Sequence, residues 1–92
     1  MKLKDLISNC PSKFSNVEIT GVTDDSRKVE QNNLFICVKG PVSDGHDYAK
    51  QAVEKGATVI VAERDLGLEN QIVVSDTHST LAEACGNWFG NP

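Results

Sequence analysis

Two short clusters in this 92-residue chain carry groups suited to holding an anion. Ser26-Arg27-Lys28 follows the alternating run Val17 to Thr23, and Ser43-Asp44-Gly45-His46 follows the apolar run Leu34 to Val38. A hydroxyl and a guanidinium just past a strand end can both donate to phosphate oxygens, at roughly 1.5–3 kcal/mol for each well-placed charge-assisted bond. Arg27 has an alternative, an ion pair with Asp24 or Asp25 that leaves Ser26 simply ending its strand. In the second cluster, backbone N–H groups at a helix start eased by Gly45 can face an anion or a carbonyl. Alternatively Asp44 is the N-cap of that helix and occupies them itself. His46 and Asp47 are neighbours in sequence, so they do not face each other on a helix and make no acid–base pair. His46 reads as a hydrogen-bonding or surface residue and His78 as a solvated one.

The surrounding pattern sets what positions these clusters. Leu3, Leu6, Ile7 and Cys10 predict a short amphipathic helix stopped by Pro11. Val17 to Thr23 alternates like a half-buried strand, and Leu34 to Val38 reads as a strand covered on both faces. Between them Glu30-Gln31-Asn32-Asn33 is a turn, where asparagine tolerates positive φ. Asp44 to Lys55 predicts a helix with Tyr48, Ala49, Ala52 and Val53 on one face and Gly56 as its C-terminal cap. Ala57 to Ala62 is a further strand, completing a βαβ unit, and Ile72 to Val74 another. A last helix starts near Asp76 or Thr77, presents Leu81, Ala84, Cys85, Trp88 and Phe89, and is stopped by Gly90-Asn91-Pro92. The expected architecture is one small α/β domain, three αβα layers with a mixed, mainly parallel sheet of about four to five strands.

Composition narrows the partners. A formal net charge of −4 argues against a nucleic-acid or anionic-membrane partner, so any bound phosphate is held by local donors. The start has cations but no long apolar core, and no stretch approaches a membrane span, which makes a cytoplasmic location the expectation. Cys10, Cys37 and Cys85 are dispersed and odd in number, reading as reduced thiols without zinc-ligand spacing; no metal is expected. Cys37 lies in an apolar run and reads as packed, whereas a redox role would require a low-pKa, readily alkylated thiol. No nucleophile, base and orienter can be assembled, so no catalytic residue is assigned. No Gly-x-x-x-x-Gly-Lys-Ser/Thr loop is present, which argues against nucleotide hydrolysis by these residues alone.

The order Ile19-Thr20-Gly21-Val22-Thr23-Asp24-Asp25-Ser26-Arg27-Lys28-Val29, then Asn33 to Gly40, Asp44-Gly45-His46-Asp47-Tyr48 and Ala52 to Ala57, resembles the amino-terminal domain of the Mur ligases across nearly the whole chain. These are ATP-dependent amino-acid ligases of peptidoglycan precursor synthesis. Leu3-Lys4-Asp5-Leu6-Ile7 and Thr23 to Arg27 look most like the branch that adds diaminopimelate or lysine to UDP-N-acetylmuramoyl-L-alanyl-D-glutamate. The branch that adds D-alanyl-D-alanine is the alternative, and a stand-alone interaction module is another. The resemblance implies that residues 1–92 hold the UDP end of the sugar nucleotide, with no cofactor of their own. ATP and Mg would belong to central and C-terminal domains absent from this chain. It also implies that Ser26, with Asp24 and Arg27, touches the UDP-sugar, and that Pro41, Val42, Ser43, Asp44, Gly45 and His46 line the uridine and diphosphate pocket. Pro41 and Val42 have no side-chain donors, and Asn32-Asn33 stands where the family usually shows Gly-Asp.

Overall fold

Runs of β-branched and aromatic residues without a polar face belong where both sides of a sheet are covered. Asn33–Ile36 (β2) and Val59–Ala62 (β3) take that place at the centre of a four-stranded sheet, with every residue of both strands buried. Gly21–Thr23 (β1) and Gln71–Val73 (β4) form its edges. The structure is a computed structural model and describes residues 1–8 and 10–90.

Strand order follows the chain, and all three pairings are parallel, with Val22 opposite Leu34, Phe35 opposite Ile60 and Val61 opposite Ile72. The expected mixed sheet is therefore parallel throughout. Parallel neighbours require each connection to cross a face of the sheet. Val29 in the first connection, helix Ala49–Glu54 (α1) in the second, and Leu66 and Leu68 in the third all pack on the side of Phe35, Cys37, Ile60 and Ala62. The opposite side, with Leu34, Ile36, Val59, Val61 and Ile72, is covered by Leu3, Leu6, Ile7 and Ile19 and by helix Thr77–Trp88 (α2). Three layers result.

Several local expectations change. The first predicted helix is only a 3-10 turn at Leu3–Asp5, whose leading N–H groups, on Leu3 and Lys4, donate to the Val17 and Ser15 carbonyls. Of the strand predicted from Val17, only Gly21–Thr23 joins the sheet; Glu18 makes an isolated antiparallel bridge with Lys2. The helix predicted from Asp44 begins as a 3-10 turn, Gly45–Tyr48, before α1. Phe89, expected on the apolar stripe of α2, is 80% exposed just past its end. Of the predicted stop, Gly90 has φ 70° just past α2, and Asn91-Pro92 lie outside the described residues.

The turn joining β1 to β2 leans on the end of α1. Asn32 has φ 67°, as its residue type foretells, and donates its N–H to the Gly56 carbonyl at 2.8 Å. Gly56 itself has φ 114°, and a Cβ there would stand 2.8 Å from the Gln31 Cα. Gly56→Ala is expected to lower unfolding free energy by about 1–3 kcal/mol in urea titration, and a loss under about 0.5 kcal/mol would refute this contact.

Candidate functional site

In a parallel sheet all strands deliver their loops to one edge, where ligands of open α/β folds bind. Here β1 leads into Asp24-Asp25-Ser26-Arg27, and β2 leads through Cys37 to Gly45. The two loops meet around a cleft of about 560 Å3. Asp24, Ser26, Arg27, Ser43 and Gly45 line it, so the two sequence clusters share one site.

The meeting has a steric basis. Gly45 donates its N–H to the Val38 carbonyl at 3.0 Å, folding the second loop back on the end of β2. A Cβ on Gly45 would lie 2.8 Å from the Val38 nitrogen and 3.2 Å from the Cys37 Cα. Only glycine fits between them. Asp44 then caps the turn, accepting from His46 N–H at 3.0 Å, as the N-cap alternative anticipates. Asp47 N–H is likewise used, by the Asp44 carbonyl. The first-turn amides at Gly45, His46 and Asp47 are thus committed inside the protein.

His46 is buried and bridges two elements. Its Nδ1 lies 2.6 Å from Asp44 Oδ1, while Nε2 accepts the N–H of Glu63, just after β3, at 2.9 Å. An Nε2 acceptor places the ring proton on Nδ1, donating to Asp44. Arg64 adds a contact of 3.3 Å to Asp44 Oδ2. Asp44 and His46 thus hold the loop and do not line the cleft. Backbone and side-chain bonds from His46 hold the Asp44 carboxyl down to about 2. Pro41 and Val42 sit on the exposed segment between Gly40 and Ser43, with Val42 95% exposed.

On the first loop, Ser26 is buried and Arg27 is exposed. Arg27 forms a two-point pair with Asp25, Nε to Oδ1 at 3.1 Å and Nη2 to Oδ2 at 3.0 Å. The Arg27 side chain and its backbone N–H hold the Asp25 carboxyl at about 2. The ion-pair alternative is therefore realised, and Nη1 takes no part in it. Sequence reasoning missed Tyr48 and Gln51, which also line the cleft. Their spacing of three on a helix start is the available signal, although Tyr48 by type reads as an inner-face residue.

Glu63, Asp76 and His78 bring ligand atoms within 4.8 Å at the ends of β3 and β4. Their carboxylates are engaged in starting α2: Glu63 accepts from the N–H and hydroxyl of Thr77, and Asp76 from the N–H groups of His78 and Ser79. The arrangement is a helix cap. Cys37 is fully buried, and burial pushes its thiol up to about 12, opposite to what redox chemistry requires.

Residues 18–88 match the family model described as Mur ligase family, catalytic domain. This chain belongs to the Mur ligase family. Its sequence is 41% identical over its full length to a UDP-N-acetylmuramoyl-L-alanyl-D-glutamate--2,6-diaminopimelate ligase of Clostridioides difficile, and 43% identical to the enzyme of that name from Bacillus cereus. It spans 20% of the length of each. Among solved structures it is similar to the MurF ligase of Thermotoga maritima in complex with ADP, at TM-score 0.67 and 32% identity over 76% of this chain and 17% of that one. A diaminopimelate ligase structure matches at TM-score 0.70 over 89% of this chain and 17% of that one, at 22% identity, a likeness of fold. No helix among the described residues is long and apolar enough to cross a membrane.

The start of α2 offers a phosphate chain no free backbone donors. This Mur ligase domain has no glycine-rich phosphate loop, and the amides opening α2 are taken by Glu63 and Asp76.

Two measurements check the site's electrostatics. Carboxyl NMR titration should place Asp44 near 2; the bonds it accepts then stabilise fully above its ordinary value of 3.8 and are lost as pH falls from there through about 2. A titration near 3.8 would contradict the His46 bridge. The folded protein should also leave Cys37 unmodified by a thiol reagent at pH 8 until denaturant is added, and fast labelling would revive the redox reading.

Proposed function

We propose that this chain is the amino-terminal, substrate-anchoring domain of a MurE-type ligase, gripping the UDP end of UDP-N-acetylmuramoyl-L-alanyl-D-glutamate in the cytoplasm. The observation that carries this reading is the single cleft shared by Ser26, Arg27, Ser43 and Gly45. Ser26 and the Nη1 edge of Arg27 donate to the diphosphate. Asp24, Ser43 and the neighbouring Pro41 and Val42 surround the nucleoside, the last two by backbone and apolar contact. Asp44 and His46 act behind them, fixing the loop.

The domain's part in catalysis is positional. Binding energy collected at the nucleotide end, far from the reacting carboxylate, holds the D-glutamyl group in place for reaction. ATP-dependent activation and addition of diaminopimelate or lysine, with Mg, fall to the central and C-terminal domains, which are also this domain's partners. A D-alanyl-D-alanine-adding parent is the second reading, favoured by the MurF structural matches at 31–33% identity. The higher identity to diaminopimelate ligases favours the first.

Titration of the 15N-labelled chain with UDP should shift the amides of Ser26, Arg27 and Ser43 to His46, with no ATP turnover. Ser26→Ala and Arg27→Ala should each weaken binding about tenfold, the scale of one charge-assisted hydrogen bond. Shifts confined to the α2 face, or affinity unchanged in both variants, would overturn the assignment.

A further inference from the structure

We infer that Lys55 is a positioning residue of this site, tethering the Ser26 turn to α1 and so fixing the distance between the two walls of the cleft. The inference rests on the nucleotide-anchoring reading above for its ligand, but on geometry alone for the tether. Lys55 follows directly on α1, and its Nζ donates to the Ser26 carbonyl at 3.1 Å across 29 positions of sequence.

The turn needs such a tether. Its other polar contacts are local: Asp25 N–H to Thr23 Oγ1, Arg27 N–H and guanidinium to the Asp25 carboxylate, and Lys28 N–H to the Asp25 carbonyl. These shape the turn without holding it to anything else. Val29 packs beneath it, but apolar contact is non-directional and does not set where Ser26 points. Among the described residues, the Lys55 bond is the polar contact that reaches another element.

Lys55 is itself well anchored. Its N–H bonds to the Gln51 carbonyl, and Gln51 lines the cleft with Tyr48 from the same helical segment. The next residue, Gly56, is pinned against Gln31 and Asn32. One ammonium thus joins the Ser26 wall to the Tyr48–Gln51 wall, from behind the ligand and without touching it.

The test compares Lys55→Met, Lys55→Arg and, as a control of equal charge change on α1, Lys50→Met in the 92-residue chain. Without ligand, Lys55→Met should speed hydrogen exchange at Ser26 to Lys28 about 3- to 10-fold while leaving Gly40 to Gly45 unchanged; UDP affinity should fall by a similar factor. Lys55→Arg, which keeps a donor, should recover affinity to within about twofold, and Lys50→Met should match the parent. Unchanged exchange at Ser26 to Lys28 in Lys55→Met would refute the tether, as would equal loss in Lys50→Met. If the parent chain fails to bind UDP, the nucleotide reading falls, while the exchange data still decide the tether. If Lys55→Met fails to fold, Lys55→Gln with the same exchange measurement serves in its place.

Discussion

The site depends on one close approach, that of Gly45 to the backbone of Cys37 and Val38. A chain leaving a buried parallel strand ordinarily moves away from the sheet, and here it is turned back within a few residues. The Lys39–Asp44 bridge and the Gly45–Val38 bond close that return, which leaves Asp44 at the head of the 3-10 turn Gly45–Tyr48 and His46 against the end of β3. From there the contacts continue through Glu63 to Thr77 and the start of α2. A side chain at position 45 would disturb the cleft, the cap and the bridge together.

The charge arrangement is economical. The domain is acidic overall, and Asp24 and Asp25 stand beside the cleft. Arg27 is mostly occupied by Asp25, so the cleft presents a cation already half-neutralised. Such a site gains little from long-range attraction and relies on short, directed contacts.

Much of this was legible in the residues. The buried strands, the βαβ unit, Asn32 at positive φ, Asp44 and Asp76 as caps and Gly56 at a helix end all follow from local chemistry. The convergence of Ser26 with Gly45 also followed, because successive parallel strands must send their loops to the same edge. What could not be read were competitions settled by tertiary contacts. The amino-terminal segment has helical spacing, yet it forms only the 3-10 turn Leu3–Asp5, docked on the Val17 and Ser15 carbonyls. His46 has no sequence neighbour that reveals Glu63 as its partner, seventeen positions on. Tyr48 suits the inner face of a helix by type, but the opening 3-10 turn rotates it toward the cleft.

Sequential strand order has a consequence for how the molecule is made. Each strand finds its partner next to it in the chain, and every connection crosses the same face, so the sheet can grow in step with synthesis. Its other face is covered in part by Leu3, Leu6, Ile7 and Ile19 from early in the chain, and α2 completes the cover. Helix α2 seals it by reaching back to the beginning, with Asn87 Nδ2 donating to the Leu6 carbonyl at 2.9 Å and Glu83 accepting from Ser8 N–H at 3.2 Å. Full closure of this face therefore waits for α2, and chains lacking it would leave part of the apolar cluster around Val59, Val61 and Ile72 open to aggregation.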